Sequence, residues 1–211
     1  MATRRLQQHK IASVRVDILE AAARAFSRRG NRRVTMQDIA REAGCTAATL
    51  YTYFRGKKEI AEELLRAMKA EYERTFAEPL PAGLTFDQKI QLLAVRQLEL
   101  ADQRRPVFLS FFTVGASGVF EECHGMSFHK NFEERIQILA DWLRANATPE
   151  DIGGRDPDLV ARFFVGFAFG LLHRWISVAP KERLVDMAPL ILDVFFNGVR
   201  GGSQASRKGT T

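Results

Sequence analysis

Apolar residues along this chain recur at steps of three and four positions, which is the period of an α-helix. No segment shows the alternation of apolar and polar residues that is typical of a half-buried strand, and no internal repeat is visible. The pattern predicts an all-α fold of about nine helices. Near the N-terminus the repeating apolar positions are Ile11, Val14, Ile18, Ala22, Ala25 and Phe26.

Start and stop signals divide the N-terminal part into short helices. Gly30 follows the last apolar position of the first helix, a place where glycine commonly ends a helix. Thr35 and Asp38 have the spacing of a capping box, and the helix that they begin is expected to end at Gly44. Thr46 can cap the next helix. Two short helices separated by a few residues around a glycine predict a helix-turn-helix unit.

The rest of the chain is predicted to be helical with short interruptions. Pro81 and Gly83 mark a linker, and Asp156-Pro157 combines an N-cap with a favourable first-turn residue. Pro189 is expected to kink the last helix. The glycine-punctuated segment 106–126 carries no clear helix signal. The predicted helices span about 57–76, 85–105, 128–145, 157–178 and 181–199.

Composition places the chain among ordinary globular proteins. Of its 211 residues 46% are hydrophobic, which excludes intrinsic disorder for most of the chain. Its two cysteines, Cys45 and Cys123, make neither a disulfide framework nor a zinc site, and no signal peptide is evident. The longest uncharged stretch, Pro106–Phe120, is shorter than the ~18 apolar residues of a membrane helix. We therefore expect a cytoplasmic protein without a membrane partner.

Positive charge is concentrated at the N-terminal end. Residues 1–60 contain 13 Lys and Arg against 5 Asp and Glu, whereas the whole chain has a net charge of +6. The remainder is therefore slightly acidic. A polyanion such as DNA is a candidate partner for the basic end, although an ordinary solvated face has the same composition.

A group of residues at fixed spacings lies within positions 18–61. It consists of Ala22, Phe26, Gly30, Thr35, Ile39-Ala40, Ala43-Gly44, Thr46, Thr49-Leu50-Tyr51, Tyr53-Phe54 and Lys57. In these features the segment resembles the DNA-binding domain of TetR-family transcriptional regulators. The resemblance implies a homodimer that binds a double-stranded, palindromic DNA operator, and a C-terminal helical domain for dimerisation and effector binding. Cys45 stands where the family usually has a small aliphatic residue, and Ala47 stands where a longer side chain is frequent.

The helix pattern and the resemblance together divide the chain into four segments. We expect a disordered basic arm at 1–10, a helix-turn-helix DNA-binding domain at 11–56, an effector-binding and dimerisation domain at 57–200, and a disordered tail at 201–211. The arm could lie in the minor groove of flanking DNA, or it could be an ordinary disordered terminus.

The recognition helix that begins at Thr46 supplies most of the candidate DNA contacts. Small first-turn residues permit a close approach to base edges, threonine hydroxyls and methyls can reach bases or phosphates, and tyrosine hydroxyls can reach phosphates. Free N–H groups at helix N-termini favour a phosphate near Thr35 and Lys57. Direct base hydrogen bonds look sparse, so DNA shape is expected to contribute. The predicted DNA-binding residues are Thr35, Thr46, Ala47, Ala48, Thr49, Tyr51, Thr52, Tyr53 and Lys57.

The helix from Pro157 is apolar on every side and is expected to be buried on two faces. The resemblance implies that the last two helices pack against their counterparts in a second chain. The predicted dimer-interface residues are Phe164, Leu171, Trp175, Ile191 and Phe195.

A second concentration of aromatic residues is a candidate effector pocket, although plain core packing is the alternative for each of them. The resemblance implies a small hydrophobic effector and a largely apolar pocket with a few polar anchors. Arg104, Arg174 and Gln97 are further candidate anchors. The predicted ligand-binding residues are Phe108, Phe111, Phe112, Phe128, Phe132, Trp142, Phe163, Phe167 and His173.

Other kinds of chemistry have little support in the sequence. His129 and Glu133 are one helical turn apart, near Glu121, Glu122 and His124, but they lack a clear third ligand, so a solvated surface is expected and no metal site. No serine elbow, phosphate loop or paired-carboxylate pattern stands out, so we expect neither an enzyme nor a cofactor. Cys45 is expected to be a small core residue, with a redox-sensing thiol as the alternative.

The leading hypothesis is a ligand-responsive repressor in which an apolar effector moves the 57–76 helix and re-spaces the two recognition helices. One alternative is a DNA-binding regulator that is constitutive or controlled by a protein partner. The other is a helical small-molecule binder or enzyme without a DNA function.

Overall fold

The structure, a computed structural model, describes residues 2–29, 34–109, 119–177 and 182–200. No strand occurs in these ranges, so the all-α prediction is confirmed, and residues 105–109 are helical as well. The predicted tail at 201–211 lies outside the described residues. The helices are α1 (Ala2–Arg29), α2 (Met36–Glu42), α3 (Ala47–Tyr53), α4 (Lys57–Ala77), α5 (Phe86–Gln103), α6 (Val119–Asn146), α7 (Pro157–Ser177), a 3₁₀ turn (Leu184–Met187) and α8 (Ala188–Arg200).

The chain forms two compact units. The first comprises residues 1–69 and 104–127, and the second comprises residues 70–103 and 128–211. The division falls inside α4 and not at the predicted boundary after residue 56. The reason is that Ile60 and Leu64, on the first turns of α4, are buried in the core of the first unit.

The core of the first unit is built from α1, α2, α3 and the start of α4. The apolar stripe predicted on α1 is buried from Ile18 to Phe26, whereas Ile11 is exposed. Two ion pairs hold α1 against α2: Arg24 Nε and Arg28 Nη1 lie 2.9 and 3.0 Å from the two carboxylate oxygens of Glu42. The main buried residues are Ile18, Ala22, Phe26, Val34, Ile39, Leu50, Phe54 and Ile60.

The core of the second unit is built from α5, α6, α7 and α8. Trp175 is fully buried, and its indole Nε1 donates to the carbonyl oxygen of Glu182 at 2.7 Å. The Asp102 carboxylate accepts the backbone N–H groups of Leu184 and Val185 at 2.8 and 3.0 Å. The main buried residues of the cluster are Phe86, Ile90, Leu93, Ile136, Leu139, Leu143, Val160, Val165, Leu192 and Phe195.

Two helices begin earlier than the sequence pattern indicated. α1 begins at Ala2 and not at Ile11, so the segment predicted as a disordered arm is the first part of this helix. α6 begins at Val119 and not at Phe128, passing through Gly125. Neither added segment contains proline, and a single glycine inside a helix costs only about 1 kcal/mol relative to alanine. Apolar periodicity is absent from such segments, which is why the prediction missed them.

Pro189 begins a helix and does not kink one. The predicted helix 181–199 is a 3₁₀ turn that ends at Met187, followed by α8 from Ala188. Proline suits the first turn of a helix because the N–H group that it lacks would have no partner there. The predicted kink is therefore wrong.

Candidate nucleic-acid interface

The N-terminus of α2 is closed by its own side chains. Thr35 Oγ1 accepts the Asp38 N–H at 3.1 Å, and the Asp38 carboxylate accepts the Thr35 N–H at 3.0 Å. This is the predicted capping box. The Thr35 hydroxyl also donates to Asp38 Oδ2 at 2.7 Å. These bonds use the N–H groups of Thr35 and Asp38, and the side chain of Thr35 is exposed.

The turn between α2 and α3 depends on one left-handed residue. Gly44 has a φ angle of +68°, a conformation that residues with a Cβ atom rarely adopt. The Cys45 N–H donates to the Ala40 carbonyl at 2.9 Å, which holds the turn against the end of α2. Cys45 is a free, half-buried cysteine that packs against the core, the position expected of a small core residue.

α3 is anchored on one side and open on the other. Leu50 is fully buried, as is Phe54, which follows the helix and donates its N–H to the Leu50 carbonyl at 3.0 Å. Thr46 is the predicted N-cap, and its Oγ1 accepts the Thr49 N–H at 3.1 Å. The exposed residues of this segment are Thr46, Ala48, Thr49, Tyr51 and Thr52.

The other three predicted DNA residues are partly buried. Ala47 is half-buried on the first turn of α3, and Tyr53 packs against the core of the first unit. Lys57 is half-buried at the start of α4, and its Nζ donates to the Val34 carbonyl at 3.0 Å. Lys57 therefore links the start of α4 to the residue before Thr35. Its ammonium group has three donors, so this bond does not prevent a phosphate contact.

Arg15 on α1 is a positioning residue that the sequence reasoning missed. Its guanidinium donates to the Tyr53 carbonyl and to the Glu63 carboxylate on α4. The same group lies 4.2 Å from the centroid of the Phe54 ring, within cation–π distance. Arg15 thus fixes the end of α3 against both neighbouring helices. In the sequence, the only local indication of this role was that Arg15 directly follows Val14, a residue of the apolar stripe of α1.

Comparison with known proteins agrees with this geometry. Residues 18–64 match the family model for bacterial regulatory proteins of the tetR family. The transcriptional regulator AcrR of Shigella flexneri is 21% identical over 203 residues, which cover 90% of this chain and 93% of AcrR. The chain is a DNA-binding transcriptional regulator of the TetR family. Its α2–turn–α3 unit is the helix-turn-helix of that family.

This regulator is also similar to a second relative in sequence and to a solved structure in fold. The transcriptional repressor KstR2 of Rhodococcus jostii is 31% identical over 88 residues, which cover 42% of this chain and 43% of KstR2. A crystal structure of the transcriptional regulator FadR from Bacillus subtilis in complex with stearoyl-CoA has the same fold. Its TM-score is 0.67 at 17% identity, and the match covers 87% of this chain and 98% of FadR.

The residues predicted to line an effector pocket belong to both units of this regulator. Phe108 is buried and belongs to the first unit, and the others that can be placed belong to the second. Trp142 is buried there, and Phe132 and Phe167 are half-buried. Phe163 is 69% exposed, so its assignment to a buried pocket is corrected. His173 is also exposed. Phe111, Phe112 and the side chain of Phe128 lie outside the described residues.

The candidate polar anchors differ in their surroundings. Arg104 pairs with Glu20 at 3.2 Å, and Arg174 lies 3.6 Å from Glu182. The side-chain nitrogen of Gln97 on α5 is buried and has no hydrogen-bond partner within the part of the chain that the structure describes. Gln97 is therefore an anchor candidate whose amide nitrogen has no partner among the described residues.

A buried tyrosine and a nearby arginine on α6 are a further feature that sequence reasoning missed. The Tyr72 hydroxyl donates to the Arg135 carbonyl at 3.4 Å, and the Arg135 guanidinium lies 4.5 Å from the centre of the Tyr72 ring. Burial raises the pKa of Tyr72 to about 12, although the positive charge of Arg135 opposes this shift. Burial also lowers the pKa of Arg135. Both side chains belong to the second unit.

The predicted dimer residues are mostly internal to one chain. Trp175, Ile191 and Phe195 are buried within the second unit, so their assignment to an intermolecular surface is corrected. Phe164 and Leu171 are half-buried, and the Phe164 ring packs edge-on against Phe195 at 5.1 Å between centroids. An aromatic-rich sequence does not show which face of each helix points inward. In this chain the face that carries Trp175, Ile191 and Phe195 points into the chain's own core.

Among the described residues of α7 and α8, a different set of large apolar side chains is exposed. Leu159 and Phe163 are one helical turn apart on α7, and Leu190 and Val194 are one turn apart on α8. We call these four residues the apolar surface.

Neither a metal site nor a membrane span is found in the described ranges. Among those residues, no three His, Cys, Asp or Glu side chains are grouped so that they could hold a metal ion. Glu133 instead receives two hydrogen bonds from Arg162 at 2.7 and 2.8 Å. The side chains of Glu121, Glu122, His124 and His129 lie outside the described set. None of the described helices is both long and apolar enough to cross a membrane.

Proposed function

We propose that this TetR-family regulator is a homodimeric repressor that binds a palindromic operator and is released by a small, largely apolar effector. The observation that carries the proposal is the exposed face of α3. One side of this helix is anchored by Leu50 and Phe54, and the opposite side presents side chains small enough to enter the major groove. The name of the repressor KstR2, which is 31% identical over 88 residues, supports repression as the direction of control.

The apolar surface supports the dimer. An exposed phenylalanine and three exposed aliphatic side chains on two contacting helices are unusual on a monomer unless they meet a partner. Gly166, Gly170 and Gly198 on the same two helices have open space where a Cβ atom would lie, so a second backbone can approach closely. A second copy of the chain is the proposed occupant, because a two-fold dimer presents two recognition helices to the two halves of a palindrome.

Gln97 supports an effector site in the second unit. A buried amide donor without a partner is unfavourable by about 1–3 kcal/mol, and a ligand carbonyl or carboxylate would remove that penalty. The surrounding core is apolar and aromatic, which suits an apolar ligand body. The stearoyl-CoA complex of FadR shows that a protein with this fold binds such a molecule.

α4 is the proposed path of communication, because this single helix runs from the first unit into the second. Its first turns are tied to the start of the helix-turn-helix by Lys57, and to the end of α3 by Arg15, which contacts both Glu63 and the Tyr53 carbonyl. An effector that displaces the later turns of α4 would shift these contacts. Effector and operator then favour different conformations, and each weakens binding of the other.

The test begins with selection of binding sequences from a random double-stranded DNA library by the full-length protein. The selected duplex is then titrated with fatty acids, their CoA thioesters and aromatic acids in a gel-shift assay. Enrichment of a palindrome and release by at least one compound are expected. Failure to enrich any sequence would refute the DNA-binding function. Enrichment without release by any compound would refute ligand control and favour a constitutive or partner-controlled regulator.

A matched pair of variants tests the effector site. Gln97→Leu is expected to weaken the effector response at least about tenfold while leaving the free energy of unfolding unchanged or higher, because it removes an unpaired buried polar group. Gln91→Leu, on the exposed face of the same helix, is expected to leave the response unchanged. Equal responses of the two variants would exclude Gln97 as an anchor.

A further inference from the structure

The exposed face of α3 lacks the side chains that read guanine and adenine by paired hydrogen bonds. Arginine and lysine contact guanine O6 and N7, and asparagine and glutamine contact adenine N6 and N7. The helix Ala47–Tyr53 contains none of these four residue types. Its exposed residues carry methyl groups, hydroxyls and one exposed phenol ring, that of Tyr51.

The threonine hydroxyls are already directed into the helix. Thr52 Oγ1 donates to the Thr49 carbonyl at 2.7 Å. Thr46 Oγ1 and Thr49 Oγ1 are 2.9 Å apart and share one hydrogen, while Thr46 Oγ1 accepts the Thr49 N–H. At least two of the three hydroxyl hydrogens are therefore used within the protein. A threonine in this state offers a partner its methyl group and its oxygen lone pairs.

Two arginine side chains near α3, among the residues that the structure describes, are already engaged with acidic groups. The Arg41 guanidinium on α2 lies 3.2 Å from the Asp38 carboxylate. The Arg15 guanidinium on α1 is engaged with Tyr53 and Glu63. Gln37 on α2 has an exposed amide side chain, and glutamine is suited to adenine and not to guanine.

We infer that this regulator reads the major groove of its operator mainly through thymine methyl groups, which contact the methyls of Thr49, Thr52 and Ala48, and not through guanine N7 and O6. The inference rests on the proposed function, since it requires α3 to lie in the major groove. Threonine and alanine methyls are the side-chain groups that pack against the C5-methyl of thymine. The operator half-site is accordingly expected to place thymines opposite α3.

The DNA side of the inference is tested on the duplex obtained by selection from the random library. Each thymine is replaced in turn by deoxyuridine, which lacks only the methyl group, and each guanine by 7-deazaguanine, which lacks only the N7 acceptor. Deoxyuridine at the contacted positions of both half-sites is expected to weaken binding about tenfold or more, at roughly three- to fivefold per methyl. 7-Deazaguanine is expected to change the Kd by less than about twofold.

The protein side uses substitutions that separate the methyl from the hydroxyl. Thr49→Ser and Thr52→Ser keep the hydroxyl and remove the methyl, whereas Thr49→Val and Thr52→Val do the opposite. Each serine variant is expected to bind the thymine duplex and the duplex with deoxyuridine at its own contacted position equally, because that one contact is already lost. The valine variants are expected to keep the preference for thymine. Thr46 is not substituted, because its hydroxyl caps α3. Thermal unfolding of each variant confirms that the fold is intact.

The outcomes distinguish this inference from the proposed function. A library in which no sequence is enriched overturns both. An enriched operator that tolerates deoxyuridine everywhere, or that loses more affinity with 7-deazaguanine, overturns the inference and leaves the DNA-binding function standing. An unchanged thymine preference in both serine variants overturns it as well.

Discussion

The carboxylate of Asp102, at the end of α5, accepts the backbone N–H of Leu184 at 2.8 Å, although the two residues lie 82 positions apart in the chain. The second carboxylate oxygen accepts the Val185 N–H at 3.0 Å. Asp102 therefore caps the 3₁₀ turn before α8 from a distant helix. Because backbone donors at the start of a helix have no partner within it, this contact fixes where the last helices begin.

The first prediction concerns this cap. Asp102→Asn replaces one acceptor by an amide group that faces a backbone N–H, so the free energy of unfolding is expected to fall by about 1–2 kcal/mol. Urea denaturation followed by circular dichroism measures the change. Asp17→Asn removes the same charge at an exposed position on α1 and is expected to change stability by less than about 0.5 kcal/mol. Equal effects of the two substitutions would contradict the capping role.

The second prediction concerns pH. The pKa of Tyr72 is raised to about 12 in the folded protein, against 10.0 for an ordinary tyrosine. Between these pH values the unfolded chain loses the Tyr72 proton and the folded chain keeps it, so stability is expected to fall as the pH rises from about 10 to 12. The difference corresponds to about 3 kcal/mol at most and is absent below pH 10.

Tyr72→Phe isolates this contribution. The variant retains the ring but cannot ionise, so its free energy of unfolding is expected to decrease less than that of the wild type between pH 9 and pH 11.5. Other ionisable groups titrate alike in both proteins and cancel in the comparison. Parallel pH dependences in the two proteins would show that the Tyr72 hydroxyl is not held neutral by burial.

The third prediction concerns assembly. Phe163→Glu places a charge in the apolar surface. In a two-fold dimer both copies carry the substitution, so the interface receives two such charges. Loss of a buried phenylalanine contact in each copy is expected to weaken dimerisation at least about a hundredfold. Sedimentation equilibrium measures the dissociation constant. Val16→Glu alters a similarly exposed apolar residue on α1 and is expected to leave the dimer intact. A Phe163→Glu protein that remains dimeric would place the interface elsewhere.

The fourth prediction concerns Lys57. If its ammonium contacts a phosphate in addition to the Val34 carbonyl, Lys57→Gln reduces the slope of log Kd against log salt concentration by about 1 per contact. Lys130→Gln removes the same charge from an exposed position in the second unit and is expected to leave the slope unchanged. Fluorescence anisotropy titrations at several salt concentrations measure both slopes. An unchanged slope for Lys57→Gln would assign Lys57 a purely structural role.

Local interactions explain which parts of the site could be predicted. The capping box of Thr35 and Asp38 and the cap at Thr46 involve residues three positions apart, so their spacing in the sequence was sufficient. Burial of Ile39 and Leu50 followed from helical periodicity. The exposure of Thr49 and Thr52 followed equally, since they lie about 100° and 200° around the same short helix from Leu50.

Contacts between distant segments explain most of what the sequence analysis missed. Arg15 meets Glu63 48 positions away, and no pattern within α1 indicates that partner. On α7, Phe163 and Trp175 are both large apolar residues on a helix that is apolar all round, yet one is 69% exposed and the other is fully buried. Periodicity carries no information about orientation when every face of a helix is apolar.

The sequence by itself determined the helical class, the helix-turn-helix with its caps, and the chemical groups on the recognition helix, because each depends on residues within one or two helical turns. Only the tertiary structure decided which face of α7 and α8 points outward, which buried amide lacks a partner, and how α4 is joined to both units. These features depend on which distant segments pack together, and that packing follows from the summed burial of many side chains and not from any local pattern.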